Sequence, residues 1–412
     1  MGKLAWLAAM LILVSACGIG ASRSSLAYRS PSPVAISPSP SPIATPVHTS
    51  PSPTPSPPPA ATITCRQGSG GTNLVMIGGQ YGTALIYDVS DPVHPRLQCR
   101  VLNGPAHLDS GNTFTYLDPR AADRTNIVIH WFADGNEGPA GVIPVVPSKA
   151  AWLPSSGLVA YTVRLEPTAS SPGGSMQVWL YIQGTSLLLF TYPVGLVGCH
   201  GCRFGLPQQV LAVSPDGEYL VAGWTLGKGS DPLAVYRLAD QTRMATFQSA
   251  SALWDRDGHR LFLSGPGTDT THVWMPESGL SSLAGAGVWA YMAGLSPDGS
   301  QIGYTANADP NSRKWRVFIY DQKAATTRLL VDKLRTQVLF VKKGWVWYLE
   351  EGPCNEVGCQ QTGTVPTGKV FAMQLSTGTE IEVRFAAGEN PVMPTSDVNW
   401  LPFTPGEFWP AG

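Results

Sequence analysis

Val213-Ser214-Pro215-Asp216-Gly217 returns as Trp254-Asp255-Arg256-Asp257-Gly258 and again as Leu295-Ser296-Pro297-Asp298-Gly299. Gly217, Gly258 and Gly299 stand 41 residues apart each time. Each copy sits between two apolar runs rich in β-formers, so the phrase reads as the turn of a hairpin. Pro215 and Pro297 preset φ for the first turn position, and Asp-Gly supplies a polar cap followed by a residue that accepts positive φ. In the middle copy Arg256 replaces proline, which leaves Asp257-Gly258 to carry the turn alone. A calcium site or a catalytic set is the rival reading of these aspartates. They lack the clustered carboxylates that Ca²⁺ needs, and each is followed by glycine where a hairpin needs one. Asp216, Asp257 and Asp298, with Pro215, Gly217, Gly258, Pro297 and Gly299, are therefore read as structural.

A recurrence of about 40–45 residues with four strands per unit is the signature of a propeller blade. Working outward, the fourth unit runs from Val210 to Phe247, the fifth from Ala252 to Leu283 and the sixth from Trp289 to Val331. A seventh starts at Val338 and ends near Val383. The third opens on Ala151-Trp152-Leu153-Pro154, a degenerate copy of the phrase. The first is built on Asn73–Ile77 and Thr83–Asp88. The second, around Thr113–Leu117 and Asn126–Phe132, is the least regular, with only a rudimentary hairpin expected at Gly141–Val146. The first unit has no evident first strand, and Asn399-Trp400-Leu401-Pro402 resembles the opening of the third. The C-terminus is therefore expected to supply the innermost strand of blade one, which closes the ring and removes its open edges. The fold class is all-β, a single seven-bladed propeller over 62–403, with a tail at 404–412. Six blades is the alternative if residues 107–147 are an excursion. A pair of β-sandwiches also has short strands at 8–12-residue spacing but does not account for the 41-residue recurrence.

From about residue 70 to 403 these features resemble TolB-like and WD40-like propeller-repeat proteins. The hydrophobic-Ser-Pro-Asp-Gly phrase matches well at two copies and is degraded at the others. That resemblance implies the fold; scaffolds, receptors and enzymes all share it.

Composition agrees. Among 412 residues there are 13 Trp and 44 Gly, which suits many tight turns, and charged residues are 13% with a formal net charge of −1. No basic stripe exists to release counterions, so nucleic acid is not an expected partner.

The N-terminus reads as an address. Lys3, the apolar run Leu4–Val14 and the small residues Ser15-Ala16 describe a secretory signal over 1–16, too short for a membrane span. Cys17 follows directly, and this order resembles the lipobox of bacterial lipoproteins. The resemblance implies acylation of Cys17, which becomes the first mature residue and is held to the bilayer by two or three acyl chains. Residues 17–61 then form a Pro/Ser/Thr-rich tether, extended because proline lacks the amide proton that ladders need.

Six cysteines remain: Cys65, Cys99, Cys199, Cys202, Cys354 and Cys359. An even number in a secreted chain implies disulfides. Proximity favours Cys199 with Cys202 and Cys354 with Cys359, leaving Cys65 with Cys99 to pin the lead-in against blade one. A redox role for Cys199-His200-Gly201-Cys202 lacks its helix context, and a zinc role lacks a second matched pair. No metal or cofactor is expected.

No nucleophile elbow, His-Glu-x-x-His, P-loop or run of paired acids occurs, and no catalytic residue is nominated. The histidines at 94, 107, 130, 200, 259 and 272 are scattered singly. The tryptophans at 152, 224, 254, 274, 289, 345, 347 and 400 recur at blade positions and are read mostly as core, with a few in the central funnel. The function expected is that of a membrane-anchored extracytoplasmic module binding a protein or glycan. A hydrolase or lyase acting on an envelope polymer from the propeller mouth is the competing class. An envelope-assembly factor is the third, with insertions at 166–175, 194–206 and 352–368 as its docking surface.

Overall fold

The structure is a computed structural model, and it describes residues 59–78, 83–121, 124–153, 158–169, 174–193, 208–225, 233–247, 251–264, 271–287, 291–307, 315–353, 364–391 and 407–409. Among the described residues every regular element is a β-strand, and no helix is long and apolar enough to cross a membrane. The strands form seven antiparallel sheets, six of four strands and one of five. These are the seven blades.

Blade four shows the plan. β13 (Gln208–Val213), β14 (Tyr219–Thr225), β15 (Leu233–Arg237) and β16 (Arg243–Phe247) pair in that order from the centre outward. The first strands of neighbouring blades, such as β9 (Lys149–Leu153), β13, β17 (Ser251–Trp254), β21 (Tyr291–Leu295) and β25 (Arg335–Lys342), meet one another around the axis. Blade two is as regular as the rest. Its strands are β5 (Ala106–Leu108), β6 (Thr113–Ala121), β7 (Arg124–Trp131) and β8 (Glu137–Ile143). The rudimentary hairpin expected near Gly141–Val146 is instead a full outer strand, paired from Thr125↔Ile143 to His130↔Glu137. Its Gly and Pro residues hide a strand signal because an outermost strand has little to bury.

Blade one has five strands in the order β1 (Thr62–Cys65), β4 (Arg96–Leu102), β3 (Thr83–Asp88), β2 (Leu74–Gly78) and β29 (Glu407–Trp409). The C-terminus does supply its innermost strand. The strand is Glu407–Trp409, within the stretch assigned to the tail, and residues 399–402 lie outside the described residues. Leu74 pairs with Trp409, Val75 with Phe408 and Met76 with Glu407. The N-terminal lead-in adds β1 to the outer edge, so the first and last described strands belong to one blade.

The core follows from this arrangement. Seven hydrophobic clusters fill the seven gaps between neighbouring blades. The cluster joining blades seven and one holds Val75, Ile77, Leu85 and Tyr87 against Leu339, Val341, Trp347 and Leu349, all buried. There Trp347 donates its indole N–H to the Pro92 carbonyl at 2.8 Å. A sandwich would have one continuous core between two sheets; here each blade faces two others. At the gap between blades two and three, Gly141 is required by close approach, since a Cβ there would overlap the Tyr181 hydroxyl.

The repeated turns behave as read. Gly217, Gly258 and Gly299 have φ of 76°, 83° and 71°. Ser214 Oγ donates to Asp216 Oδ1 and accepts from the Tyr219 amide at 2.9 Å. Ser296 repeats this with Asp298, at 2.6 Å, and Gln301, at 2.9 Å. In the middle copy the turn is not left to Asp257-Gly258. Asp255 takes the serine's place and accepts from the Arg260 amide at 3.1 Å and its guanidinium at 2.8 Å.

Candidate binding face

Strand direction sorts the connections of every blade into two ends. The turns between first and second strands, including all three copies of the repeated phrase, lie at one end, the turn face. Connections from second to third strand, and from the fourth strand to the next blade, lie at the other. β10 (Leu158–Leu165) ends and β11 (Ser175–Ile182) begins at this second end. So do the end of β12 (Thr185–Pro193) and the start of β13, and the end of β26 (Trp345–Pro353) and the start of β27 (Thr364–Gln374). All three insertions singled out from the sequence therefore depart from and return to one face. The last is shorter than expected, because Glu351, Gly352 and Pro353 still pair with Pro366, Val365 and Thr364. The chain also enters at this end: the Ala61 amide, just ahead of β1, donates to Asp118 Oδ1 at 3.0 Å near the end of β6.

Two buried cations stand at the insertion-face ends of first strands. Lys149 opens β9 and is buried, and desolvation pushes its ammonium pKa down to about 7. Arg335 opens β25, its guanidinium bonded to Glu380 Oε1 at 2.9 Å and reaching Glu350 Oε1 at 3.4 Å, above the Phe371 ring at 4.3 Å. Lys333 and the Tyr348 hydroxyl also bond Glu380, at 2.6 and 3.2 Å. Burial works against the Glu380 carboxylate, but hydrogen bonds from Lys333 and Arg335 outweigh it and hold its pKa below the ordinary value. Two cations and two anions thus neutralise one another, as in a structural clamp.

On the innermost strands of blades two and three, the His107 ring stacks on Trp152, with centroids 6.0 Å apart and planes 17° from parallel. The indole N–H of Trp152 is buried and has no hydrogen-bond partner among the described residues. Trp254, Trp274 and Trp347 are core, as expected. The side chains of Trp224, Trp289 and Trp400 fall outside the described residues.

Of the cysteine pairs, Cys65 and Cys99 are joined, opposite one another in the β1–β4 ladder. Cys17, Cys199, Cys202, Cys354 and Cys359 lie outside the described residues. The sequence nominated no histidine, yet His130 on β7 sits with Nε2 3.5 Å from Cys65 Sγ. The alternation of buried residues along β7 turns His130 inward, a signal legible only once the neighbouring blade is known.

No family model matches the chain, and no curated protein matches it. Among solved structures it is similar to an oligogalacturonate lyase from Vibrio parahaemolyticus, with 10% identity over 70% of this chain and 93% of that one, TM-score 0.44. TolB from Acinetobacter baumannii matches with 15% identity over 78% and 79%, TM-score 0.35. The Cps50 (Swd1) β-propeller domain of Myceliophteria thermophila matches with 10% identity over 74% and 95%, TM-score 0.43. These likenesses carry no activity to this chain.

Proposed function

We propose that the protein is a lipid-anchored, extracytoplasmic propeller that binds a protein or glycan ligand on its insertion face. The observation that carries this reading is the sorting of loops: three insertions share one face, and the repeated turns that stabilise the ring occupy the other. Variation gathered at one end of a rigid scaffold is how loop-borne recognition surfaces are built.

Cys17 as the acylated residue and 17–61 as the tether place the domain on the outer face of the cytoplasmic membrane, or at an outer membrane in a host that has one. The proline tract 31–59 spans roughly 90 Å when fully extended at about 3.1 Å per residue. That reach is long enough for the domain to meet a partner well away from the bilayer.

The competing reading is an enzyme with its site in the propeller mouth. Against it, three of the described acids are engaged: Asp118 by the Ala61 amide, Glu350 and Glu380 by the Arg335 cluster. An assembly factor would use the same face, with another envelope protein as ligand. The test is affinity capture from envelope extract, with a glycan array alongside, using the intact protein and variants with 170–173, 194–206 or 355–362 replaced by short Gly/Ser links. A ligand lost on trimming and kept when turn-face residues are changed supports the reading. Turnover of an envelope polymer by the intact protein, or capture indifferent to all three trims, overturns it.

A further inference from the structure

We infer that reduction of the Cys65–Cys99 disulfide uncovers a Zn²⁺ site whose ligands are Cys65, Cys99 and His130. The three residues come from three strands in two blades, β1 and β4 of blade one and β7 of blade two, and their donor atoms all lie within 4.8 Å of one another. Cys99 is fully buried and His130 is buried. The site lies towards the turn-face end of β1 and β7, so it is independent of the binding face.

The geometry is largely set before any metal arrives. Zn–S bonds of about 2.3 Å and Zn–N bonds of about 2.0–2.1 Å in a tetrahedron put sulfur and nitrogen about 3.6 Å apart. Cys65 Sγ and His130 Nε2 stand at 3.5 Å. Only the two sulfurs must move, parting to about 3.8 Å once the bond between them is gone.

The imidazole is also oriented as a ligand needs: His130 Nδ1 faces Glu137 Oε1 at 3.4 Å, which turns Nε2 towards the Cys65 sulfur. Glu137 is itself fixed by the Tyr116 hydroxyl at 2.9 Å. A carboxylate behind a ligating histidine is the usual outer-shell support of such sites. Ser69 Oγ, 3.9 Å from Cys99 Sγ, offers the second sulfur a hydrogen bond. With three protein donors, the fourth position goes to water.

The redox step balances simply. A dithiol reductant gives two electrons and two protons to the Cys65–Cys99 bond and becomes a disulfide itself, leaving two thiols. Zn²⁺ then displaces both thiol protons to solvent as it binds the thiolates. The site is thus available only in the reduced protein.

The experiment is a Co²⁺ and Zn²⁺ titration of the full chain carrying C199S/C202S/C354S/C359S, oxidised and after a phosphine reductant. The expected result is one equivalent of Co²⁺ with sulfur-to-metal charge-transfer absorbance in the reduced protein, displaced by Zn²⁺, and none in the oxidised protein. Cys65→Ser with Cys99→Ser abolishes it, and His130→Gln removes the nitrogen-dependent features of the visible bands. Glu137→Gln weakens binding by about 10–100-fold and keeps the test open if His130→Gln fails to fold. No metal bound by the reduced protein, or identical spectra and affinity in the His130 and Glu137 variants, overturns the site.

Discussion

Gly258 of blade five lies against the side chain of Asp216 in blade four. A Cβ built on Gly258 would stand 2.5 Å from the Asp216 carboxyl carbon. One blade on, Gly299 meets Arg256, with a Cβ–Cβ approach of 3.2 Å. Gly258 and Gly299 therefore do two things: each takes the positive φ its own turn needs, and each makes room for the preceding copy of the turn. Gly258→Ala is expected to cost about 2–4 kcal/mol, from the strained backbone and the overlap together. Pro215→Ala, which only frees φ in the unfolded chain, is expected to cost about 1 kcal/mol or less. Chemical denaturation of the two variants checks the ranking.

Neutralising one member of the Arg335 cluster strands the other. Glu380→Gln is expected to destabilise by about 2–3 kcal/mol, reduced from the fully buried case because Lys333 is exposed. The Glu380 carboxyl is held below its ordinary value in the folded protein. Its contribution is therefore present above the unfolded pKa of about 4.3 and lost as pH falls through the lowered folded value. Melting curves of wild type and Glu380→Gln should converge on acidification.

Lys149 carries the opposite sign. Burial lowers its pKa to about 7 in the folded chain, against 10.5 for an ordinary lysine. Between those values the unfolded state binds the extra proton, so this group makes stability rise with pH from about 7 to about 10. Lys149→Met is expected to flatten that slope in denaturant titrations taken at several pH values. An unchanged slope would count against the burial of the ammonium.

The Cys65–Cys99 bond closes a sequence separation of 34 residues. Replacing both cysteines by serine is expected to cost about 3–4 kcal/mol, largely through the unfolded chain. Because β1 forms only the outer edge of blade one, early loss of protection should be confined to Thr62–Cys65 and its ladder partners Cys99–Leu102. Hydrogen exchange read by mass spectrometry resolves this.

The ring was legible because its period is written into turn chemistry. Asp-Gly at fixed spacing marks the same joint in blades four, five and six. Less visible were strands whose residues bury little, such as β8 with its Gly138 and Gly141, or the three-residue β29. Trp400 drew the closing strand towards 399–402, whereas pairing with β2 uses Glu407–Trp409. The Cys65–Cys99 partnership followed from elimination among six cysteines, but His130 did not. Its place beside Cys65 depends on the packing of blade two on blade one, which no local pattern encodes. The insertions could be found as breaks in the rhythm; that they share a face required strand direction.

Closure of the ring by the chain's own end is tested most directly by thermal unfolding of a chain ending at Gly406. That chain lacks the strand paired with Leu74, Val75 and Met76, all fully buried. It should melt well below the intact protein, with amides of Leu74–Gly78 and of the blade-seven seam exchanging early. A truncated chain that melts at the same temperature, with β2 equally protected, would contradict closure by β29.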